Sequence, residues 1–233
     1  MSGSGFPEGA AYWRLSHRAE SMCEAESSEY AAHDSSDIRG HLGNVLSLLY
    51  RTASCYWGCH GEEHVFEYMA GRTCTSAHAA HRLLDFGYYD EALSLSRNIA
   101  EIGNLVHLFL KDGSHIRRWL DLPETERRNV YQPVGVRKAL EALGESAPTD
   151  RDRYAWLCEI GTHINPRTRP QAHNAEARPL LGAVFQKEGW QVAVESLAWS
   201  VCTVSAPLAK LAVLDGHNAQ RLFDESIALA EAL

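Results

Sequence analysis

Basic residues, and lysine above all, are in short supply in this sequence. Its 233 residues contain 22 lysines and arginines against 30 aspartates and glutamates, which gives a formal charge of −8 at pH 7. General nucleic-acid binders carry a basic excess because neutralisation of phosphates drives their affinity. The composition therefore disfavours general nucleic-acid binding and leaves RNA only as a locally contacted partner.

Long apolar runs and export features are also missing. No stretch approaches the roughly 20 consecutive apolar residues of a membrane span. The N-terminus lacks the basic region and apolar run of a secretory signal peptide. The six cysteines are scattered through predicted helices, which favours reduced thiols over a disulfide framework. We therefore expect a cytoplasmic protein without a membrane segment.

The motifs of several large enzyme classes are missing as well. There is no phosphate-binding Gly-x-x-x-x-Gly-Lys-Ser/Thr loop, no Gly-x-Ser-x-Gly and no His-Glu-x-x-His. Cys55, Cys59, His60 and His64 supply four potential zinc ligands in one short segment, but zinc sites usually take their ligands from two separated pairs. The sequence predicts no metal and no cofactor, and leaves open whether this cluster binds a metal.

Helical periodicity is present along almost the whole chain, without the alternating pattern of a hairpin. It predicts helices at 8–32, 38–57, 62–85, 88–112, 133–143, 150–163, 179–187, 190–214 and 217–232. Residues 1–7 are predicted to form a flexible tail, and the polar segment 113–132 a connection outside the bundle. Because no linker divides the chain, we expect an all-α, irregular multi-helix bundle with a single domain at 8–233.

The segment from Val192 to Leu214 is the most apolar part of the chain. Its only charged residues are Glu195 and Lys210, and a helix that is apolar nearly all round is usually central in its bundle. Pro207 is expected to kink or interrupt it. We expect this helix and helix 88–112 to form the centre, and the same apolar pair offers a surface for a homodimer.

Helix 88–112 also carries a narrow polar stripe. At 100° per residue, its members fall on one side of the helix: Asp90, Ser94, Arg97, Glu101 and Asn104. One interpretation is a solvated face with an Arg97–Glu101 pair of small energetic weight. The other is a polar seam between helices, in which Glu101 holds Arg97 in a fixed pose for an anionic ligand.

The segment 159–174 is dense in side chains that bind or titrate. Two prolines make it a rigid excursion after a helix end, and its polar members are Glu159, His163, Asn165, Arg167, Arg169, Gln171, His173 and Asn174. Histidine titrates near neutral pH, and asparagine and glutamine give directional hydrogen bonds. These side chains either form a binding site or fix the loop through bonds to its own backbone.

Two passages resemble a known group of proteins: 87–101 (GYYDEALSLSRNIAE) and 154–163 (YAWLCEIGTH). They are similar to a broad bacterial family of helical domains of unknown function, in which a helix with Arg-x3-Glu is followed by a tyrosine and then a histidine at a helix end. The family is similar in outline to HEPN-type and abortive-infection proteins. The resemblance covers about 78–174 and implies that Arg97, Glu101, Tyr154 and His163 surround one pocket.

The sequence departs from the HEPN pattern in its spacing of arginine and histidine. HEPN-type ribonucleases use Arg-x4-6-His, whereas His107 lies ten residues beyond Arg97. The matching spacings elsewhere, Arg72 to His78 and Arg167 to His173, are no more numerous than chance predicts for this composition. The resemblance therefore implies that His163 supplies the histidine.

Two functions follow as expectations. The first is a HEPN-like endoribonuclease or toxin-type effector, with His163 as general acid/base and Arg97, held by Glu101, stabilising charge. Its predicted substrate-binding residues are Asn104, Tyr154, Asn165, Arg167, His173 and Asn174. The alternative is a non-catalytic helical module that binds a partner protein or a small anionic ligand through the 159–174 loop.

Overall fold

The structure is a computed structural model that describes residues 7–33, 36–58, 64–166, 168–212 and 214–233. These residues form ten helices and contain no strand. The helices are α1 (Ala10–Ala32), α2 (Ile38–Ala53), α3 (Val65–Asp85), α4 (Tyr89–Lys111), α5 (Ser114–Asp121), α6 (Glu124–Tyr131), α7 (Pro133–Ala142), α8 (Arg151–Gly161), α9 (Lys187–Leu211) and α10 (Gly216–Glu231). The all-α multi-helix fold predicted from the sequence is confirmed.

Local sequence explains where several of these helices begin. Asp37, Asp150 and Asp215 precede α2, α8 and α10, and each side chain accepts a hydrogen bond from a backbone N–H of the first turn. Such caps satisfy donors that have no partner within the helix. Pro133 opens α7, where the missing proline N–H is no loss.

Helices α4 and α9 lie at the centre of the bundle and make its most extensive contact, as the sequence predicted. Both helices carry fully buried apolar side chains that belong to one hydrophobic core, among them Leu93, Ile99, Leu197 and Val201. Burial of each such side chain is worth about 1.5–3 kcal/mol. Because these side chains are buried within the bundle, they are not exposed for contact with a second copy. The homodimer predicted from the sequence would therefore need a different surface.

Two local predictions differ from the structure, and of the two outcomes expected at Pro207, a kink or an interruption, the interruption is absent from α9. The segment 113–132 is not an irregular connection, since it contains α5 and α6. The helix predicted at 179–187 is absent, since residues 179–186 belong to a loop and Lys187 begins α9; Pro179 and Gly182, whose φ is 80°, interrupt the apolar pattern. Helix α9 runs on through Pro207 to its end at Leu211. Residues 1–6, most of the predicted tail, lie outside the described residues.

Helix α9 bears on the expectation that the protein has no membrane segment. By length and composition it could cross a membrane, and 72% of its most apolar window is buried inside the protein. The central helix of a soluble bundle and a membrane span both meet this criterion, so apolarity alone does not distinguish them here.

Candidate functional site

The polar stripe of α4 lies against α8, so it forms a seam between helices and is not a fully solvated face. The hydroxyl of Tyr154 on α8 donates to Glu101 Oε1 at 2.7 Å and accepts from Arg97 Nη2 at 2.5 Å. Arg97 Nη2 also pairs directly with Glu101 Oε1 at 2.7 Å. Three of the residues singled out by the sequence therefore form one closed hydrogen-bonded network.

The guanidinium of Arg97 has further partners. Its Nε donates to Cys158 Sγ at 3.0 Å and its Nη1 to Asn98 Oδ1 at 3.3 Å. Burial alone would lower the pKa of Arg97, but the Glu101 carboxylate and the bonds to Cys158 and Tyr154 outweigh it and raise that pKa. Arg97 is thus a permanently charged group that the seam itself holds in place.

Tyr154 is kept in its neutral form by its surroundings. Burial, followed by the hydrogen bond to Glu101, raises the pKa of Tyr154. The guanidinium carbons of Arg97 and Arg137 each lie 5.0 Å from the centre of its ring. The phenol therefore acts as a neutral bridge between a cation and an anion.

Asn104, at the far end of the stripe, anchors the segment that leads into α8. Its amide donates to the Thr149 carbonyl and accepts from the Thr149 N–H, both at 2.9 Å. Both residues are buried, with Asn104 3% exposed. These contacts give Asn104 a structural role, and its predicted part in substrate binding stays a prediction.

The near end of the stripe is held by the α8–α9 loop, residues 162–186. Gln171 Oε1 accepts from the backbone N–H of Tyr89 at 2.8 Å, and thereby caps α4, whose own N-cap residue Tyr88 makes no side-chain cap. Asp90 accepts from the Gln171 backbone N–H at 2.8 Å and contacts His173 Nε2 at 2.7 Å. A distant loop thus completes a helix terminus, which sequence reasoning did not identify.

Asn174 fixes the same loop internally. Its side chain donates to the Arg178 carbonyl and accepts from the Arg178 N–H, and it also donates to Gln186. Gln186 in turn donates to the Gln171 carbonyl at 2.8 Å. For Asn174, the structure therefore agrees with the second interpretation of segment 159–174, in which side chains fix the loop.

A pocket of about 330 Å³ opens between this loop, α8 and the start of α4. Its lining combines apolar, acidic, basic and neutral polar side chains: Asp90, Trp156, Glu159, Ile160, Asn165, Thr168, Arg169, Ala172 and His173. The close approach of α8 to α4 depends on Gly161, because a Cβ there would lie 2.7 Å from the Ser94 backbone nitrogen. Among the predicted site residues, Asn165 and His173 line this pocket, whereas Glu101 and Asn104 line a smaller one of about 200 Å³.

The remaining predicted residues are divided between this pocket and the surface. Asn165 and His173 line the pocket, whereas His163 is exposed. No hydrogen bond or ion pair between the His163 and Arg97 side chains is present in the described part of the chain. Arg167 lies outside the described residues.

A second group of chemically active side chains lies at the α2–α3 connection. One ligand atom from each of Cys55, His64 and Glu67 lies within 4.8 Å of the others. It is the one cluster of this kind found in the described ranges. Cys59 and His60, which the sequence grouped with Cys55 and His64, lie outside those ranges.

Comparison with known proteins identified no relative of this chain. No protein-family model, no curated protein and no solved structure matches the chain. The functional argument therefore depends on the seam, the pocket and the cluster themselves.

Proposed function

We propose that this protein is a helical binding module that holds a small anionic ligand in the pocket between the α8–α9 loop, α8 and the start of α4. The observation that carries the proposal is the pocket itself, with Arg169, Asn165 and Trp156 in its lining. A concave site with an apolar wall and a few convergent polar groups is the usual form of a ligand site.

The charges of the pocket favour an anion in spite of its acidic residues. The Asp90 carboxylate is already bound by the Gln171 backbone N–H and by His173. Glu159 is exposed, so water and salt screen its charge. Among the described lining residues Arg169 supplies the guanidinium, which suits carboxylate and phosphate groups because it can bind both oxygens.

The apolar side of the pocket indicates what the anion is attached to. Trp156, 37% exposed, presents an aromatic side chain, with Ile160 beside it in the lining. Such a surface suits a planar or apolar group. The expected ligand is therefore a small organic anion rather than an inorganic ion.

Calorimetric titration with adenosine monophosphate, succinate and inorganic phosphate tests this proposal. We expect at least one organic anion to bind with a Kd between about 1 µM and about 1 mM. Arg169→Ala should weaken that binding about 10- to 100-fold, because a charge-assisted hydrogen bond is lost.

Arg178→Ala is the matched control, since Arg178 belongs to the same loop but pairs with Glu176 at 2.8 Å and does not line the pocket. It should leave the Kd unchanged. Equal loss in both variants would contradict the proposal. Failure of all three anions to bind would overturn it in favour of a partner protein for the same loop.

A second candidate is a HEPN-like endoribonuclease or toxin-type effector, which the Arg97–Glu101–Tyr154 network supports. In this proposal Arg97, positioned by Glu101 and Tyr154, would stabilise charge on phosphate, and His163 would transfer a proton at a ribose hydroxyl. RNA would have to compete with Glu101 and Tyr154 for the guanidinium.

Growth and total RNA integrity in bacteria that express the chain test this second proposal. Wild type should cleave RNA, and both Arg97→Lys and His163→Ala should abolish cleavage while the proteins remain folded by circular dichroism. His17→Ala, which changes an exposed histidine of α1, is the control and should retain cleavage. Intact RNA with wild type would overturn the proposal.

A further inference from the structure

The α2–α3 connection brings together side chains of three different donor types. Cys55 lies just after α2, His64 is the N-cap of α3, and Glu67 lies in the first turn of α3. His64 Nδ1 is 3.8 Å from Cys55 Sγ and 3.7 Å from Glu67 Oε1. One ring nitrogen therefore faces both a thiol and a carboxylate.

We propose that Cys55, His64 and Glu67 form a zinc site. Zinc lies about 2.3 Å from a cysteine sulfur and about 2.0–2.2 Å from a histidine nitrogen or carboxylate oxygen. Tetrahedral angles then place the ligand atoms roughly 3.4–3.6 Å apart. Two of the three separations, 3.8 and 3.7 Å, exceed these values by only a few tenths of an ångström, and the third, between Cys55 Sγ and the Glu67 carboxylate, lies within 4.8 Å.

A proton on His64 Nδ1 accounts for this convergence less well than a metal does. The nitrogen carries at most one hydrogen, which cannot be aligned with both Cys55 Sγ and Glu67 Oε1. A divalent cation at the centre interacts with all three atoms at once. Glu67 is only 3% exposed, so its carboxylate gains from a nearby positive charge.

The backbone at two of the three residues has an unfavourable conformation. Cys55 has φ of 53° and His64 has φ of 47°, in the left-handed region that residues with a Cβ seldom adopt. Such positions persist only where the surrounding structure requires them, and they cluster at functional sites. Here both of them flank the point at which the three donor atoms meet.

The donor set selects the class of metal. Calcium and magnesium prefer oxygen ligands alone, whereas a thiolate, an imidazole and a carboxylate together suit zinc. Three protein ligands leave one tetrahedral position for water or another donor. None of the three residues lines the ligand pocket, so this site is independent of the proposed function.

Metal analysis of the full chain, purified under reducing conditions without chelator or metal-affinity resin, tests the proposal. After incubation with zinc and removal of the excess, we expect close to one zinc per chain. Replacement by cobalt should give the sulfur-to-cobalt charge-transfer absorption and the intense visible bands of a tetrahedral site. Substoichiometric zinc after this reconstitution would overturn the proposal.

Variants identify the ligands through competition with a chromophoric chelator. Cys55→Ser, His64→Asn and Glu67→Gln should each weaken zinc binding by more than about 100-fold, the upper end of the loss caused by a residue outside the ligand shell. Cys55→Ser should also remove the charge-transfer band. Because Glu67 is buried, circular dichroism is used to check that the Glu67→Gln variant is folded. If it is not, the variants at Cys55 and His64, which are less buried, still test the site.

His78→Ala is the matched control. His78 also lies on α3, with its Nδ1 3.6 Å from Cys74 Sγ, but the pair belongs to no three-ligand cluster in the described part of the chain. Its variant should bind zinc as wild type does. Equal loss of zinc in the control, or retention of zinc by all three ligand variants, would refute the site.

Discussion

Helix α4 has two faces that make different kinds of contact. One face packs against α9 through apolar side chains and a backbone contact at Gly103, where a Cβ would lie 2.1 Å from Thr203 Oγ1. The other faces α8 through the Arg97–Glu101–Tyr154 network. The contact with α9 depends on side chains of matching volume, whereas the contact with α8 depends on each hydrogen-bond donor meeting a particular acceptor.

The difference lies in what each face contributes. Apolar contact is non-directional and supplies most of the folding free energy. A hydrogen bond adds only about 0.5–1.5 kcal/mol, but leaving a buried partner without one costs about 1–3 kcal/mol. The seam therefore fixes the position of α8 more than it stabilises the bundle, which suits an element that carries one wall of a pocket.

The largest effect is expected from Gly103→Ala on the apolar face. The added methyl group would overlap Thr203, and overpacking of this kind lowers the free energy of unfolding by about 1–3 kcal/mol. Urea unfolding measures it. Gly43→Ala is the control, because a Cβ there meets nothing within 4 Å, and it should stabilise α2 by up to about 1 kcal/mol.

Asn104→Ala should have an effect in the same range as Gly103→Ala. It leaves the buried N–H and C=O of Thr149 without their partner, at a cost of about 1–3 kcal/mol in the free energy of unfolding. Asn44→Ala, at an exposed position of α2, should stay within about 0.5 kcal/mol of wild type. A stable Asn104→Ala protein that has lost its ligand would instead support the predicted role in binding.

A double-mutant cycle with Tyr154→Phe and Glu101→Gln measures the seam directly. We expect a coupling energy of about 0.5–1.5 kcal/mol, since the two groups share one hydrogen-bonded network. The exposed Arg117–Asp121 pair of α5 should give less than about 0.5 kcal/mol in the same measurement. Equal coupling in both pairs would mean that partial burial adds nothing to the seam.

The smallest effect concerns pH. Burial, and then the neighbouring Lys111 ammonium, lower the pKa of His107 on α4. The unfolded chain therefore binds this proton more readily, and stability falls as the pH drops below about 6.5, the unfolded value, towards the folded one. Urea unfolding at about pH 7.5 and about pH 5.5 should show a smaller acid-induced loss for His107→Gln than for wild type.

Periodicity was enough to predict most helices and the central pair, because burial of an apolar face depends on spacing within one helix. It failed at 179–187, where apolar residues occupy a loop, and at 113–132, where short polar helices carry little apolar signal. In the candidate site, the polar stripe of α4 could be predicted for the same reason, because its residues recur at helical spacing. The cap of α4 by Gln171 was not, since no local rule joins residues 82 positions apart.

The sequence by itself determined that the chain is helical, which helices are central, and that α4 has a polar stripe. Only the tertiary structure decided what the stripe meets: Tyr154 for Arg97 and Glu101, Thr149 for Asn104, and the loop for Asp90. It also decided that Glu67 joins Cys55 and His64. The reason is physical, because hydrophobic periodicity is a local property of one segment, whereas a hydrogen bond between distant residues exists only once packing has brought both partners together.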